Sequence, residues 1–301
     1  GGTVNGAPSG VTWQLDLGVL PPVWQKLNVT GTPTLPRTGA SFVYDGNHSP
    51  PRMVMYAGQY SYTSVSALDE LWALELTPGS EQWVKLTPTL TQNPSRRSNH
   101  AAVVDGAGNM LIFGGRNWLN QLQNTVFQLD LATLTWTQVA TSGTPPSPRE
   151  NMVMVYDNLG GRNRIIMHGG SANAANRYDD TWELDLNTLT WSLLRTGGPP
   201  PGSGNAAVID PDTGAMMLFG GSDGRTFGGF WSYDLVANSW TQIAPAGDVP
   251  QSRWQQAMVW DSIAHRLGMV GGETGYEGNG LNMQPLSQDN GAEVDVWYWR
   301  D

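Results

Sequence analysis

Apolar and polar positions along this chain change rhythm every few residues and never settle into the 3.6-residue stripe of an amphipathic helix. Short runs dominate. Ala101 to Val104 and Met110 to Phe113 are wholly apolar, while Trp72 to Leu76 and Trp182 to Leu186 carry apolar residues at alternate positions. Such runs predict β-strands, buried on two faces in the first case and on one in the second. The segments between them are turn chemistry: Asp105 to Asn109, Asp45 to Asn47 and Asp210 to Gly214 are rich in Asp, Gly and Asn, which tolerate positive φ. Helix is expected to be almost absent.

The pattern repeats. Glycine pairs stand at Gly1-Gly2, Gly114-Gly115, Gly169-Gly170, Gly220-Gly221 and Gly271-Gly272, with Ala57-Gly58 in the same series. Some ten to thirteen residues after most of them an aromatic opens a strand, at Trp13, Trp72, Phe127, Trp182 and Trp231, and after a longer gap at Trp297. A second Trp follows at Trp24, Trp83, Trp136, Trp191 and Trp240. A Pro-rich link and an apolar stretch then close on Asp45, Asp105, Asp157, Asp210 and Asp261, so the period is 49 to 60 residues. Four antiparallel strands per period of about 50 residues is the arithmetic of a β-propeller blade.

Composition narrows the function classes. The chain has 301 residues, 39% apolar and 14% charged, enough for a buried core. It has no Cys, which removes disulfides, thiolate metal sites and cysteine nucleophiles. No run of about eighteen apolar residues is present, so no membrane insertion by a spanning helix is expected. A net charge of −10 argues against nucleic acid, which requires a basic surface. With two lysines (Lys26 and Lys85), many Thr, Asn, Gly and Trp, and the glycosylation triplets Asn28 to Thr30 and Asn47 to Ser49, the composition suggests an extracellular or cell-surface protein. The opening Gly1-Gly2-Thr3 reads as a processed or excised piece.

The glycine pair, the aromatic some twelve residues on and the following Trp resemble the kelch-repeat β-propellers, across essentially the whole chain. An Arg before the first strand, at Arg37, Arg97, Arg149 and Arg253, also fits that family. The chain departs from the pattern at Gly202, where the other repeats have Arg, at Ala57 in place of a Gly, and in keeping the family's following His only as His100. The resemblance implies an all-β, kelch-type propeller of four-stranded antiparallel blades in a single domain over 1–301. Residues 1–36 would form a partial blade, 37–251 four complete blades, and 252–301 a last blade lacking its fourth strand. Six blades, one incomplete in this chain, are favoured. Five is the alternative, with the strand at Trp24 completing the last blade.

In such a blade the second-to-third loops and inter-blade links share one face, and here those loops are long and differ between repeats. Loops of that kind on a rigid scaffold are where recognition resides. Candidate ligand-binding residues on this face are Tyr60, Tyr62, Arg116, Trp118, Arg225, Trp254, Glu273 and Tyr276. Arg37, Arg97, Arg149 and Arg253 begin successive inner strands, so their guanidiniums are expected to ring the channel mouth and attract an anion. The competing structural role, stitching blades to nearby carbonyls, has more in its favour because the position belongs to the repeat. The repeated Trp residues are expected in the core.

No catalytic residue, metal site or cofactor emerges. The histidines His48, His100, His168 and His265 lack ligand spacing, and His168 reads as a packed strand residue. The resemblance adds that copper radical oxidases of this architecture need a Cys, absent here. The iron-binding specifier proteins need a Glu, Asp and His run that this sequence lacks. The expectation is a non-catalytic binding or scaffold module presenting its long-loop face to a protein or carbohydrate, with further chain segments possibly completing the ring. The alternatives are a mutarotase- or lyase-type sugar enzyme using a channel-mouth Arg with Glu273 or Glu277, and a structural subunit of a surface filament or shell.

Overall fold

The second strand of each repeat is the most apolar, and it lies inside a sheet with both faces covered. In the computed structural model, which describes residues 3–4, 7–19, 22–31, 34–61, 66–90, 92–244, 248–274 and 296–299, the first complete blade comprises Ser41–Asp45, Arg52–Tyr56, Leu71–Glu75 and Gln82–Leu86. Each strand pairs antiparallel with the next, placing Ser41 opposite Tyr56, Arg52 opposite Glu75 and Leu71 opposite Leu86. The same meander recurs as Ala101–Val104, Asn109–Phe113, Val126–Asp130 and Thr135–Val139. It recurs again as Val153–Asp157, Arg164–His168, Thr181–Asp185 and Thr190–Arg195. The fourth copy is Ala206–Asp210, Ala215–Phe219, Phe230–Asp234 and Ser239–Ile243. Ala257–Asp261, Arg266–Val270 and Val296–Trp299 form a three-stranded sheet, and Trp13–Asp16 pairs with Val23–Lys26 in a separate two-stranded one. No α-helix occurs among the described residues; a 3-10 turn spans Leu159–Gly161.

Two compact units divide the chain, Gly1–Glu150 and Asn151–Asp301. In the first, Val54, Tyr56 and Leu71 of one blade pack with Met110, Ile112, Phe127, Leu129 and Trp136 of the next. The Tyr56 and Trp136 rings stand 4.8 Å apart. In the second, Val155 and Ile166 pack with Met216, Tyr233 and Leu235, while Met217 and Phe219 turn the other way onto Leu267 and Met269. Alternate residues of one strand thus fill two successive inter-blade layers, which is what its unbroken apolar character encodes. His168 occupies the position of Tyr56 and lies 4.8 Å from the Trp240 ring, so it is a packed strand residue. Trp13 corrects the expectation of a wholly buried Trp series. It is 53% exposed, because its hairpin pairs with no second strand among the described residues.

Three of the four complete blades also carry an element that the periodicity does not reveal, the third of them at Ser142–Gly143. Thr30–Gly31 pairs parallel with Gln82 and Trp83, and Thr89–Leu90 with Thr135 and Trp136. The link entering a blade therefore lies along its outermost strand and covers an edge that would otherwise present unpaired N–H and C=O groups.

The second glycine of four of the doublets closes a three-bond circuit between successive repeats. Gly58 N–H donates to the Arg97 carbonyl at 2.9 Å, Arg97 N–H to the Leu68 carbonyl at 3.1 Å, and Leu68 N–H back to the Gly58 carbonyl at 2.8 Å. Identical circuits join Gly115, Arg149 and Gln123; Gly170, Gly202 and Tyr178; and Gly221, Arg253 and Phe227. These glycines have φ of 84 to 100°, where a side chain is strained. A Cβ on Gly115 would also lie 2.6 Å from the Ser98 carbonyl oxygen. Gly115→Ala should therefore lose about 2 kcal/mol or more of stability in urea unfolding. Gly214→Ala, at φ +70° with open space around it, should lose only about 1 kcal/mol.

Candidate functional site

The repeat arginines start where the circuits end, and their side chains turn inward. Arg37 donates through Nε to the Leu35 carbonyl and through Nη1 to the Ala57 carbonyl; Arg97 does the same to Ser95 and Gly114, and Arg253 to Gln251 and Gly271, at 2.9 to 3.2 Å. Arg149 Nε donates to the Ser147 carbonyl. The four residues retain between 0 and 4% exposure. This corrects the expectation of a cationic ring at the channel mouth: each guanidinium is enclosed within its own blade, bound to the carbonyl of the first residue of the glycine pair where that bond is resolved, and is closed to an anion from solvent. The repeat without Arg keeps the backbone bonds and changes the filling. A Cβ on Gly202 would meet the Phe227 ring at 2.8 Å, so the aromatic occupies the space beside this position.

The residue after each Arg or Gly202 varies, as Thr38, Ser98, Glu150, Ser203 and Trp254; Thr38, Ser98, Ser203 and Trp254 pair with the residue after a glycine doublet. In the first unit this rim is densely bonded. Ser98 Oγ donates to Gln59 Oε1 at 2.8 Å. Arg116 donates to Glu150 Oε1 through Nε at 3.0 Å and Nη2 at 2.6 Å, and through Nη1 to both oxygens of Asn120 at 3.1 Å. Asn99 Nδ2 donates to the other Glu150 oxygen at 3.0 Å. Asn117 Oδ1 accepts from the Leu119 and Gln121 amides, so its side chain caps the loop from within. At the tip, Trp118 is 48% and Leu119 54% exposed. Tyr60, in the loop on the other side of Arg97 and Ser98, is 51% exposed.

The second unit presents different chemistry on its described loops. Ser171 to Arg177 is small and polar, closed by the Asn176 carbonyl accepting from Ala172. Arg225 is exposed on the turn where Asp223 and Arg225 bond each other's backbone. The half-buried Trp254 ring lies against Gly204 and its backbone pairs with exposed Glu273. Tyr62, Tyr276 and Glu277 lie outside the described residues. Of the candidates, the structure brings Arg116 and Trp118 together on one loop, and exposes Tyr60 on another loop of the same unit. Glu150, Asn99, Asn117 and Leu119 were not singled out by sequence. Their one signal is that positions 99 and 150 adjoin the invariant Arg yet differ between repeats.

Charged groups here are matched to partners. Glu70 accepts from Arg37, Lys85 and Trp72. Burial pushes its carboxyl up, but those hydrogen bonds outweigh it and leave the pKa at about 2. Glu70 is thus a fixed anion rather than a proton acceptor at neutral pH. Burial, reinforced by the Arg97 charge, drives His100 down to about 3, and its Nε2 bonds Ser41 Oγ at 2.8 Å. Among the described residues no group of His, Asp and Glu could hold a metal ion. A second Arg series, unremarked in the sequence, works on the opposite face. Arg52 pairs with Asp45 and donates to the Leu131 carbonyl of the next blade; Arg164 pairs with Asp157 and donates to that of Leu235.

Residues 1–204 and 77–272 each match the profile of the KLHDC2/KLHL20/DRC7 Kelch-repeats domain. The chain belongs to the kelch-repeat family. Its four-stranded sheets are kelch propeller blades, and the glycine circuits and buried arginines are the structural content of the kelch repeat in this protein. Among curated proteins, the chain is similar to acyl-CoA-binding domain-containing proteins 4 and 5 of Arabidopsis thaliana, each 27% identical over 84% and 88% of this chain. It is also similar to human host cell factor 2, 28% identical over 62% of the chain, and to dynein regulatory complex subunit 7 of Chlamydomonas reinhardtii, 31% identical over 49%. The matched kelch region spans 36% and 41% of the two plant relatives' length and 25% of the human one's.

Two outcomes follow from this geometry. Arg97→Ala leaves two buried carbonyls without donors and removes a cation 5.3 Å from the Phe127 ring, so stability should fall on the order of 3 kcal/mol in urea unfolding. His100 is depressed in the fold, so below its unfolded pKa of about 6.5 the unfolded chain takes up a proton that the native state refuses. Stability should fall as pH drops from that value toward 3. His100→Gln should flatten this dependence between pH 7 and pH 4.5, measured by urea unfolding at each pH.

Proposed function

We propose that this kelch domain is a non-catalytic recognition module that takes a protein partner on the long-loop face of its first unit. The observation that carries this reading is the pair Trp118 and Leu119, large apolar side chains left half in solvent at the tip of a loop that is internally capped and anchored. Exposed side chains of that size on a rigid support are what interface anchors look like: burial on docking removes apolar area from water with little ordering of the chain. Arg96, which is itself exposed and whose carbonyl accepts from the Trp118 amide, borders the pair. The match to a protein named as a subunit of a dynein regulatory complex supports a domain that works by assembly. Whole-length relatives extend well beyond the matched region, so their activities are not transferred.

Carbohydrate is the competing ligand, favoured by the same exposed Tyr60 and Trp118 rings, on which sugars stack. Affinity capture comparing the wild type with Trp118→Ser/Leu119→Ser separates the readings. A protein retained by the wild type and weakened at least about tenfold by the double change, with unfolding midpoints equal, is the expected outcome, since surface substitutions alter stability by only about 0.5 kcal/mol. Equal capture by the two proteins would discard the reading. Binding to immobilised oligosaccharides lost in the variant would replace it with the sugar reading.

A further inference from the structure

We infer that Glu150 is a positioning residue for the binding loop: the conformation in which Trp118 and Leu119 are displayed is set by a carboxylate outside the loop, at the end of the first unit, not by the loop alone. This inference rests on the proposed role of that loop. Glu150 follows Arg149 at the start of the third complete blade, whereas Arg116 to Gln123 connects the second and third strands of the second. The carboxylate is the point where the two meet. One oxygen accepts two guanidinium hydrogens from Arg116, and the other accepts from Asn99, which sits on the inner rim of the second blade at φ +59°. Arg116 in turn grips Asn120 by its carbonyl and side-chain oxygens, and Asn120 N–H donates to the Asn117 carbonyl. The chain of bonds therefore runs from the next blade's rim to the residues bracketing Trp118 and Leu119.

The energetics favour control by this one carboxylate. The Glu150 side chain is 12% exposed and that of Arg116 23%, so the pair is only partly screened by solvent, and its bonds are charge-assisted. Beside its local bonds, the Asn117 cap and the Asn117 N–H to Gln121 carbonyl bond at 2.9 Å, the loop is paired to Arg97 and Ser98 through Asn117 and Arg116, and Trp118 N–H donates to the Arg96 carbonyl at 3.1 Å. Those backbone bonds fix one side of the loop; the Glu150 carboxylate holds the Arg116 and Asn120 side. The loops of the second unit illustrate the contrast, since Ser171 to Arg177 is closed by bonds within itself and carries no large apolar side chain. A patch that must meet its partner in one orientation gains affinity from being held in advance, and here part of the hold comes from a residue outside the loop.

Hydrogen exchange on the intact chain tests this without any partner. In Glu150→Ala, the amides of Leu119 and Gln121 should exchange roughly tenfold faster, as expected when charge-assisted bonds are removed. Amides of the flanking strands Asn109–Phe113 and Val126–Asp130 should keep wild-type rates. The Arg116→Ala/Glu150→Ala double variant should match the faster single variant, because both changes break one linkage. Glu150→Gln, which keeps one acceptor for Arg116 and the side-chain volume, should fall between the wild type and Glu150→Ala and covers the case in which the alanine variant folds poorly. Unchanged loop exchange in Glu150→Ala and Glu150→Gln, or acceleration spread evenly over the strands, overturns the inference. Because the readout is the loop itself, it can fail while Trp118→Ser/Leu119→Ser still abolishes capture, or succeed while that variant captures normally, so the two propositions are judged separately.

Discussion

The constraint on which everything else depends is a backbone one: in four successive repeats the N–H of the second residue of the doublet must reach the carbonyl that begins the next repeat. At Gly58, Gly115, Gly170 and Gly221 this bond is 2.9 Å long, and it is one side of a closed circuit with the loop residue that follows. A circuit of three backbone bonds leaves no buried amide or carbonyl unpaired at a point where two sheets approach within van der Waals contact of a missing side chain. It also ties the start of every long loop to a neighbouring blade. The loops can then vary without loosening the sheets, because each departs from and returns to the same three atoms.

The buried arginines serve that arrangement. A guanidinium enclosed beneath the rim satisfies the carbonyls that the tight glycine turn leaves facing inward, and it brings a long apolar stem to the inter-blade layer. Where the chain has Gly202 in place of Arg, the backbone circuit persists and Phe227 packs against the glycine. The circuit is thus the more basic element, and the side chain beneath it is replaceable by packing. On the opposite face Arg52 and Arg164 perform a related task through Asp45 and Asp157. The two faces differ in what remains: short uniform turns on one, and on the other a rim where residues 98, 99, 116 and 150 are free to build a specific network.

The variation between blades is therefore local. The same scaffold carries a capped loop ending in Trp118 and Leu119 on the second blade and a small polar loop at Ser171 to Arg177 on the third. The strand pairing of the two blades is nearly the same, differing by a register shift at Thr181 and Trp182 in the third. The difference lies in a handful of side chains beyond the glycine pair, one of which, Glu150, belongs to a different repeat from the loop it holds.

The strands, their antiparallel order and the inter-blade role of Trp136, Trp240 and the apolar second strands were legible in the chain itself, since side-chain period and burial follow the same alternation in successive repeats. The meaning of the glycine pairs was legible in part: positive φ and close approach follow from residue type, but the partner at Arg97 or Gly202 lies some forty residues away. The two-residue strands at Thr30–Gly31 and Thr89–Leu90 were not, being too short to show a period. Tertiary structure alone decided where the arginines point. An Arg at a fixed place in a repeat can face solvent or seal a turn, and only the position of the carbonyls at Ala57, Gly114 and Gly271 selects the second. It alone also brought Glu150 to Arg116, because a carboxylate and a guanidinium on different repeats share no spacing that a linear chain could display.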